Sequence, residues 1–546
     1  MTTSDQQAIP GKVDVLIVGA GFAGLYLIHR IRPLGLSVVA LEAGSGVGGT
    51  WYWNRYPGAR CDVESMQYSF SVFPDLQQDW QWSELFAGQP EILKYANHVA
   101  DRFDLRRSVC MNTRVVAAHF DDDAHQWTVQ TEQGVAVEAR WVVMATGCLS
   151  TARMPEFDGF DAYEGETYHT GHWPHESVDF SGQRVGIIGT GSSAIQAIPV
   201  IAKQAEHLTV FQRTPNYSIP SRNAPMPSSY EAEWKASYDE RRDQARWART
   251  GIVMERNDVG AMDVDSQERE RIYQERWAAG GTQFMVAFND LALNAKANDT
   301  AAEFVRHQIR ATVNDAKTAE LLVPIDYPIG TKRICVDTNY FETFNRDNVS
   351  LVSIKDEPIK CMTQKGLTAG SKDYAFDNIV FATGFDAMTG TLSRIDIRGR
   401  RREKLTDKWE AGPRTYLGLA MHGFPNMFMV TGPGSPSVLS NMIVSIEQHV
   451  DWITDCIDFM RARELSCIEA ERDAEDRWVE HVNEVAYMTL YPKAASWYMG
   501  ANIPGKPRLF MPYIGGVGIY RDKCANVARD GYEGFRLASL LDRTAA

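Results

Sequence analysis

Paired cysteines are missing: Cys61, Cys110, Cys148, Cys335, Cys361, Cys456, Cys467 and Cys524 stand singly, with no C-x-x-C and no zinc-like double pair. That absence argues against a disulfide framework and leaves free thiols as the expectation. Positive charge is also short, since 56 Lys and Arg face 70 Asp and Glu for a net −14. This is the wrong sign for a partner whose affinity comes from phosphate neutralisation, so no nucleic-acid partner is expected. No run of about eighteen apolar residues exists, so no membrane span is predicted. The opening M-T-T-S-D-Q-Q-A-I-P-G-K has no basic stretch followed by an apolar core, so no signal peptide and a cytoplasmic location are expected. Low-complexity tracts and repeats of solenoid period are absent too. What is there is an ordinary globular composition, 44% hydrophobic and 23% charged over 546 residues, long enough for roughly three to four domain-sized units.

Two glycine-rich turns stand out. In V-D-V-L-I-V-G-A-G-F-A-G-L-Y-L-I-H-R a buried-strand run turns through Gly19, Gly21 and Gly24 into an amphipathic pattern. Strand, turn and helix together lift G-x-G-x-x-G above a chance glycine turn. The first glycine permits the tight turn, the second lets backbone approach a pyrophosphate, and the third permits close packing, with phosphate on the helix N-terminus. The next strand, L-S-V-V-A-L, ends at Glu42, 23 residues after Gly19. A carboxylate there accepts hydrogen bonds from a ribose with a free 2′-hydroxyl, and the site reads as FAD.

The pattern recurs in Q-R-V-G-I-I-G-T-G-S-S-A, with Gly189, Thr190, Gly191, Ser192, Ser193 and Ala194, and the following strand delivers Arg213 at 24 residues after Gly189. A guanidinium matches a 2′-phosphate bidentately where a carboxylate repels it. The second site therefore reads as NADPH, with Thr214 a further phosphate donor; the alternative is a solvated surface arginine. Two Ala-Thr-Gly strand ends, at 145–147 and 382–384, mark where the chain returns past each nucleotide.

The pattern predicts an α/β protein with two Rossmann-like dinucleotide-binding domains and a helical insertion. Residues 1–150 form the first part of the FAD domain, 151–223 the first part of the NADPH domain and 224–328 the helical insertion in it. The NADPH domain resumes over 329–386 and the FAD domain over 387–546. The insertion is rich in Glu, Arg, Gln and Ala at helical spacing, and its D-V-D-S at Asp263 to Ser266 reads as a helix cap rather than a metal site. The loop T-G-P-G-S-P-S-V-L-S-N-M, Thr431 to Met442, leads into a helix, a common position for a substrate pocket.

A protein holding FAD and NADPH moves hydride between them, and the question is the electrons' next destination. A redox disulfide is disfavoured because Cys61 has no partner near it in sequence. O2 is the other outlet. An anionic oxygen nucleophile aimed at a carbonyl needs a fixed positive charge, and I-G-T-K-R-I supplies Lys332 and Arg333 in an apolar run. Adjacent side chains on an extended segment point opposite ways, so one can reach the NADPH phosphate while the other faces the flavin; the alternative is a solvated basic pair. His169, His172 and His175 recur at intervals of three, but Pro174 breaks any helix that would align them. No cysteine or carboxylate cluster completes a set, and no metal is expected.

These residues resemble the type I Baeyer–Villiger monooxygenases. The family pattern F-x-G-x-x-x-H-x-x-x-W-[P/D] is matched by Tyr163, Gly165, His169, Trp173 and Pro174, with Tyr163 in place of Phe. A second, [A/G]-G-x-W-x-x-x-x-[F/Y]-P-[G/M]-x-x-x-D, is matched from Gly48 to Asp62 and includes Gly49, Thr50 and Trp51. The loops W-E-A-G-P-R-T-Y-L-G-L and G-P-G-S-P-S-V-L-S-N-M look most like the phenylacetone- and steroid-oxidising branch. Cys148 stands where the phenylacetone-type enzyme has Gln. The resemblance implies that NADPH reduces FAD, that O2 adds at flavin C4a, and that the resulting peroxide inserts oxygen next to a ketone carbonyl to give an ester or lactone, with sulfoxidation as a side activity. It further implies that Arg333 and Asp62 are catalytic and that Lys332, Arg213 and Thr214 hold the 2′-phosphate. Trp497 would contact NADP, His169 would serve the junction between domains, and Val438, Leu439 and Met442 would line the substrate pocket. A monomer or weak homo-oligomer is expected. Two competitors stand: a flavin-containing or N-hydroxylating monooxygenase acting on N or S, and a redox-inactive nucleotide-binding protein that kept the fold.

Overall fold

The structure, a computed structural model, describes residues 8–539. Two parallel-strand sheets organise it. In the first, Lys12–Val18 lies between Val38–Leu41 and Ala136–Met144, all parallel, and Val109–Cys110 extends the sheet beyond Val38–Leu41. An antiparallel meander of Val115–Asp121 and Gln126–Thr131 joins the first half of Ala136–Met144. Two strands return from far along the chain: Asp396–Arg398 pairs with the meander and Met427–Met429 with the second half of Ala136–Met144.

The second sheet is wholly parallel, in the order Val349–Ser353, His207–Gln212, Arg184–Ile188, Asn378–Phe381 and Glu166–His169. Apolar runs such as Val185 to Ile188 fit strands covered on both faces, as parallel sheets require. Residues 166–169, which the sequence presented as a junction, thus form an edge strand: E-T-Y-H pairs along Asn378–Phe381 before the chain turns away.

The helices between 224 and 328 divide between the two halves. Ser228–Ala236 and Tyr238–Trp247 set Trp234 and Tyr238 into the core of the first sheet. Arg242 is buried there against Gln77, Ser69 and the Gln67 carbonyl. Ser266–Ala279, Ala295–Thr312 and Ala316–Leu322 instead pack Tyr273, Phe304 and Leu322 onto the second sheet's core. Asp265 caps the first of these, accepting from the backbone N–H groups of Gln267 and Glu268 at 2.9 Å each. The helix Met442–Ala462 is buried along most of its length and packs on Phe22–Ile31, the helix after the first glycine turn.

Candidate active site

The two glycine turns are built alike. Gly19 (φ +104°) and Gly189 (φ +115°) adopt a backbone that L side chains rarely take. A Cβ on Gly19 would stand 2.7 Å from the Ala145 carbonyl oxygen, and one on Gly189 2.5 Å from that of Ala382. Each Ala-Thr-Gly strand end therefore abuts a glycine turn, and each turn opens a helix, Phe22–Ile31 or Ser192–Ile201. Neither turn has a side chain capping the helix N-terminus, so backbone N–H groups are left for a phosphate. The site fits a dinucleotide at both places.

In the first half Glu42 is 5% exposed, and its carboxylate accepts from the Ala20 and Gly44 backbone N–H groups at 2.7 Å each. It fastens the glycine turn, and each oxygen keeps a second acceptor position for a ribose hydroxyl. Burial pushes this carboxyl up from its ordinary range, opposed by those N–H groups. Gly21 and Gly49 meet backbone to backbone, since a Cβ on Gly49 would lie 2.8 Å from the Gly21 Cα. That contact brings exposed Thr50 and buried Trp51 beside the turn, where the Trp51 indole donates to the Tyr68 hydroxyl at 3.1 Å.

In the second half Thr190 donates through its hydroxyl to the Thr214 carbonyl at 2.9 Å. This ties the glycine turn to the segment that carries exposed Arg213. Lys332 sits with its ammonium 4.3 Å from the Tyr327 ring centroid. Burial, then the nearby Arg213 charge, pushes Lys332 below the usual lysine range. Two cations held together, with Arg213 making no ion pair to any described residue, fit the 2′-phosphate of NADPH.

Arg333 turns the other way, toward the first half. Its Nη2 donates to Asp62 Oδ2 at 3.2 Å and its Nη1 to the Val438 carbonyl at 3.0 Å. The Asp62 side chain is 12% exposed and that of Arg333 34%, so the pair faces an accessible space from within the protein. Burial pushes the Asp62 carboxyl up while Arg333 opposes it. Burial also works against the Arg333 charge, but Asp62 outweighs it and holds the guanidinium firmly protonated. The buried phenol of Tyr498, next to half-buried Trp497, lies within reach of the same guanidinium. Val438, Leu439 and Met442 share one apolar cluster with Trp497, Tyr498, Cys148 and Phe510. The Cys148 thiol is 3.0 Å from the Ser437 hydroxyl and donates to the Thr431 carbonyl at 3.2 Å.

His169 is 4% exposed. Its Nδ1 accepts from the Gly171 N–H at 2.9 Å, so its Nε2 carries the proton and donates to the Arg153 carbonyl at 3.1 Å. Thr383 Oγ1 lies at 3.1 Å from the same nitrogen. The imidazole thus joins the segment after the first Ala-Thr-Gly turn to the second turn itself, and burial lowers its pKa to about 4. Trp173 packs on Tyr168 and Phe180, followed by Pro174, and the Tyr163 hydroxyl donates to the Phe376 carbonyl at 3.2 Å. Gly165 lies under the Tyr163 ring, where any Cβ would overlap it. Among the described residues no three His, Cys, Asp or Glu side chains are grouped to hold a metal, no disulfide joins the cysteines, and no helix is long and apolar enough to cross a membrane.

Sequence reasoning missed Tyr498, Tyr56, Gln196 and the Val438 carbonyl. Tyr56 stands at the [F/Y] position of the Gly48–Asp62 pattern, which does not say what its hydroxyl meets; Tyr498 and Gln196 fill no position of either family pattern, and a backbone carbonyl has no residue-type signal at all.

Residues 16–239 match the pyridine nucleotide-disulphide oxidoreductase family. A Baeyer–Villiger monooxygenase of Pseudooceanicola batsensis is 41% identical over 100% of this chain and 99% of its own. A phenazine N-monooxygenase of Lysobacter antibioticus is 41% identical over 96% of this chain and 97% of its own. Among solved structures, an oxidised steroid monooxygenase bound to NADP superposes with a TM-score of 0.93 at 52% identity, covering 97% of this chain and 100% of the other. With that extent of identity, the chain belongs to the Baeyer–Villiger monooxygenases, flavoproteins that work with FAD and NADP.

Proposed function

We propose that the protein uses NADPH and O2 to insert one oxygen atom beside the carbonyl of a ketone. One ketone, NADPH, a proton and O2 give one ester or lactone, NADP+ and water, so the hydride of NADPH reduces the second oxygen atom. When bound, FAD accepts that hydride and activates O2. The chain's own residues do the rest. Gly19, Gly21, Gly24 and Glu42, with Gly49, Thr50 and Trp51, shape the FAD site. Gly189, Thr190, Gly191, Ser192 and Ser193 receive the pyrophosphate of NADPH, and Arg213, Thr214 and Lys332 select its 2′-phosphate. Arg333 places a permanent cation where negative charge develops on oxygen, an interaction strong in a water-poor site. Asp62 and the Val438 carbonyl fix its direction. Trp497 covers NADP, while Val438, Leu439 and Met442 make the apolar wall against the ketone. His169 keeps its proton on Nε2 and positions rather than transfers. Sulfides are the side substrates.

The observation that carries this reading is the Arg333–Asp62 pair, which forms only where the two nucleotide-binding halves meet. A second reading, oxygen transfer to an aromatic ring nitrogen, is favoured by the 41% identical phenazine N-monooxygenase. One experiment separates them: purified protein with NADPH and air is offered aryl, cyclic, steroid and long-chain ketones and, in parallel, N-heterocycles and sulfides, with products identified by mass spectrometry. Ester or lactone gaining one oxygen from 18O2 is the expected result. N-oxide with no ester from any ketone overturns it.

A further inference from the structure

The turn Tyr56–Arg60 belongs to the first nucleotide-binding half, and Gln196 belongs to the first turns of Ser192–Ile201, the helix at which NADPH phosphate is placed. Gln196 spends its whole side chain on that turn. Its Oε1 accepts from the Tyr56 hydroxyl at 2.8 Å and from the Arg60 N–H at 3.3 Å, and its Nε2 donates to the Arg60 carbonyl at 3.1 Å. The Tyr56 hydroxyl also lies near Ser193, one turn nearer the nucleotide. Gly58, between them, lies so close that any Cβ would overlap the Gln196 carbonyl oxygen. Arg60 is in turn anchored to Glu84 at 2.7 Å and to the Phe86 carbonyl at 2.6 Å, and Glu84 holds Asn223. Asp62 follows two residues after Arg60, so this set of contacts stands directly behind the Asp62–Arg333 pair.

We propose that Tyr56, Gly58, Arg60 and Gln196 form a joint that fixes the distance between the two nucleotide-binding halves, and that Gln196 is a positioning residue for hydride delivery. The physical ground is that the joint is polar on both sides of an interface. An amide satisfied by three partners tolerates little sliding, because each bond lost leaves a part-buried polar group unpaired. A displacement of about 1 Å between reacting groups is enough to cost about 100-fold in rate. The residues proposed to hold the nucleotide, from the Gly189 turn to Arg213, Thr214 and Lys332, are all carried by the second half itself, so loosening the joint moves them together, leaves binding alone and misplaces the donor. The inference rests on the proposed NADPH and FAD roles but not on the ketone.

The test uses Gln196→Leu, which keeps volume and removes all three bonds, and Tyr56→Phe, which removes one hydroxyl and guards against a failure of the first to fold. Stopped-flow measurement of flavin bleaching by NADPH without oxygen is expected to slow about tenfold in Gln196→Leu and less in Tyr56→Phe. Calorimetry on the FAD-loaded proteins is expected to give an NADP+ Kd within about twofold of wild type. Unchanged bleaching in both variants overturns the joint. So does slower bleaching matched by an equal loss of NADP+ affinity, which would make Gln196 a nucleotide-binding or purely structural residue. Because no ketone is present, failure of the ketone reading leaves this result standing.

Discussion

Asp62 and Arg333 stand 271 positions apart in sequence, yet their side chains meet at 3.2 Å. At the scale of single residues the proposed function rests on this pair. A largely buried carboxylate beside a partly exposed guanidinium does little for stability, since desolvation of the carboxylate offsets their attraction, so the proposed value of the pair is in aiming a charge. In Arg333→Ala, flavin reduction by NADPH is expected to persist while ester formation falls by at least about 100-fold, the cost of losing one stabiliser of developing charge. NADPH consumed would then appear as hydrogen peroxide, measured with a peroxidase-coupled dye; retained ester formation would show the role misassigned. The divergence of the two cations is legible in the sequence. Lys332 and Arg333 were expected to diverge because neighbours on extended backbone do, and one faces Arg213 while the other faces Asp62. The Val438 carbonyl and the Gln196 amide were not legible, because nothing in residue type says which distant backbone a side chain will meet.

At the scale of the element, the two glycine turns differ in one position that the sequence displays but does not explain. The third site is Gly24 in the first turn and Ala194, fully buried, in the second. A Cβ on Gly24 would overlap the Gly19 carbonyl oxygen and meet its carbon at 3.0 Å. That obstacle is backbone, which cannot rotate aside. The strand-to-helix distance is therefore tighter in the FAD half. Gly24→Ala is expected to destabilise by about 1–3 kcal/mol through overpacking and to lower the flavin retained per protein, read from the visible absorbance of purified protein and its melting curve. Ala194→Gly, which only loosens its turn and adds chain entropy, is expected to cost about 0.5–1 kcal/mol and to keep its flavin. Equal flavin loss in both would show that the third position does not set this spacing. Helix 266–279 makes the opposite lesson: its cap at Asp265 was readable from D-V-D-S alone because capping is local.

At the scale of the whole molecule, the insertion between 224 and 328 was expected to belong to the NADPH half, but its first two helices fasten to the other core. Helical periodicity reports that a face is buried and not against what. The two halves are thus joined more than once, by the insertion and by Gln196, while His169 joins Arg153 to Thr383 within the second half and makes that half sensitive to acid. His169 is buried with a pKa lowered to about 4, and His449, fully buried below the Thr431 loop, is lowered to about 3. Nδ1 of each accepts a backbone N–H, from Gly171 and from Thr431 at 2.9 Å, so neither can take a proton there without losing that bond. For a histidine held neutral in the fold, the unfolded chain binds the extra proton first. Stability is therefore full above the ordinary histidine pKa of about 6.5 and declines as pH falls from there toward 4. One pKa unit is about 1.4 kcal/mol, so His169 alone accounts for a loss on the order of 3 kcal/mol across that window. Urea melts at pH 7.5 and 5.0 should show a lower midpoint at the acid pH, and His169→Gln, itself weaker at neutral pH, should show a smaller acid shift. A shift as large in His169→Gln as in wild type would place the acid sensitivity elsewhere, on carboxylates rather than on the imidazole that ties Arg153 to Thr383.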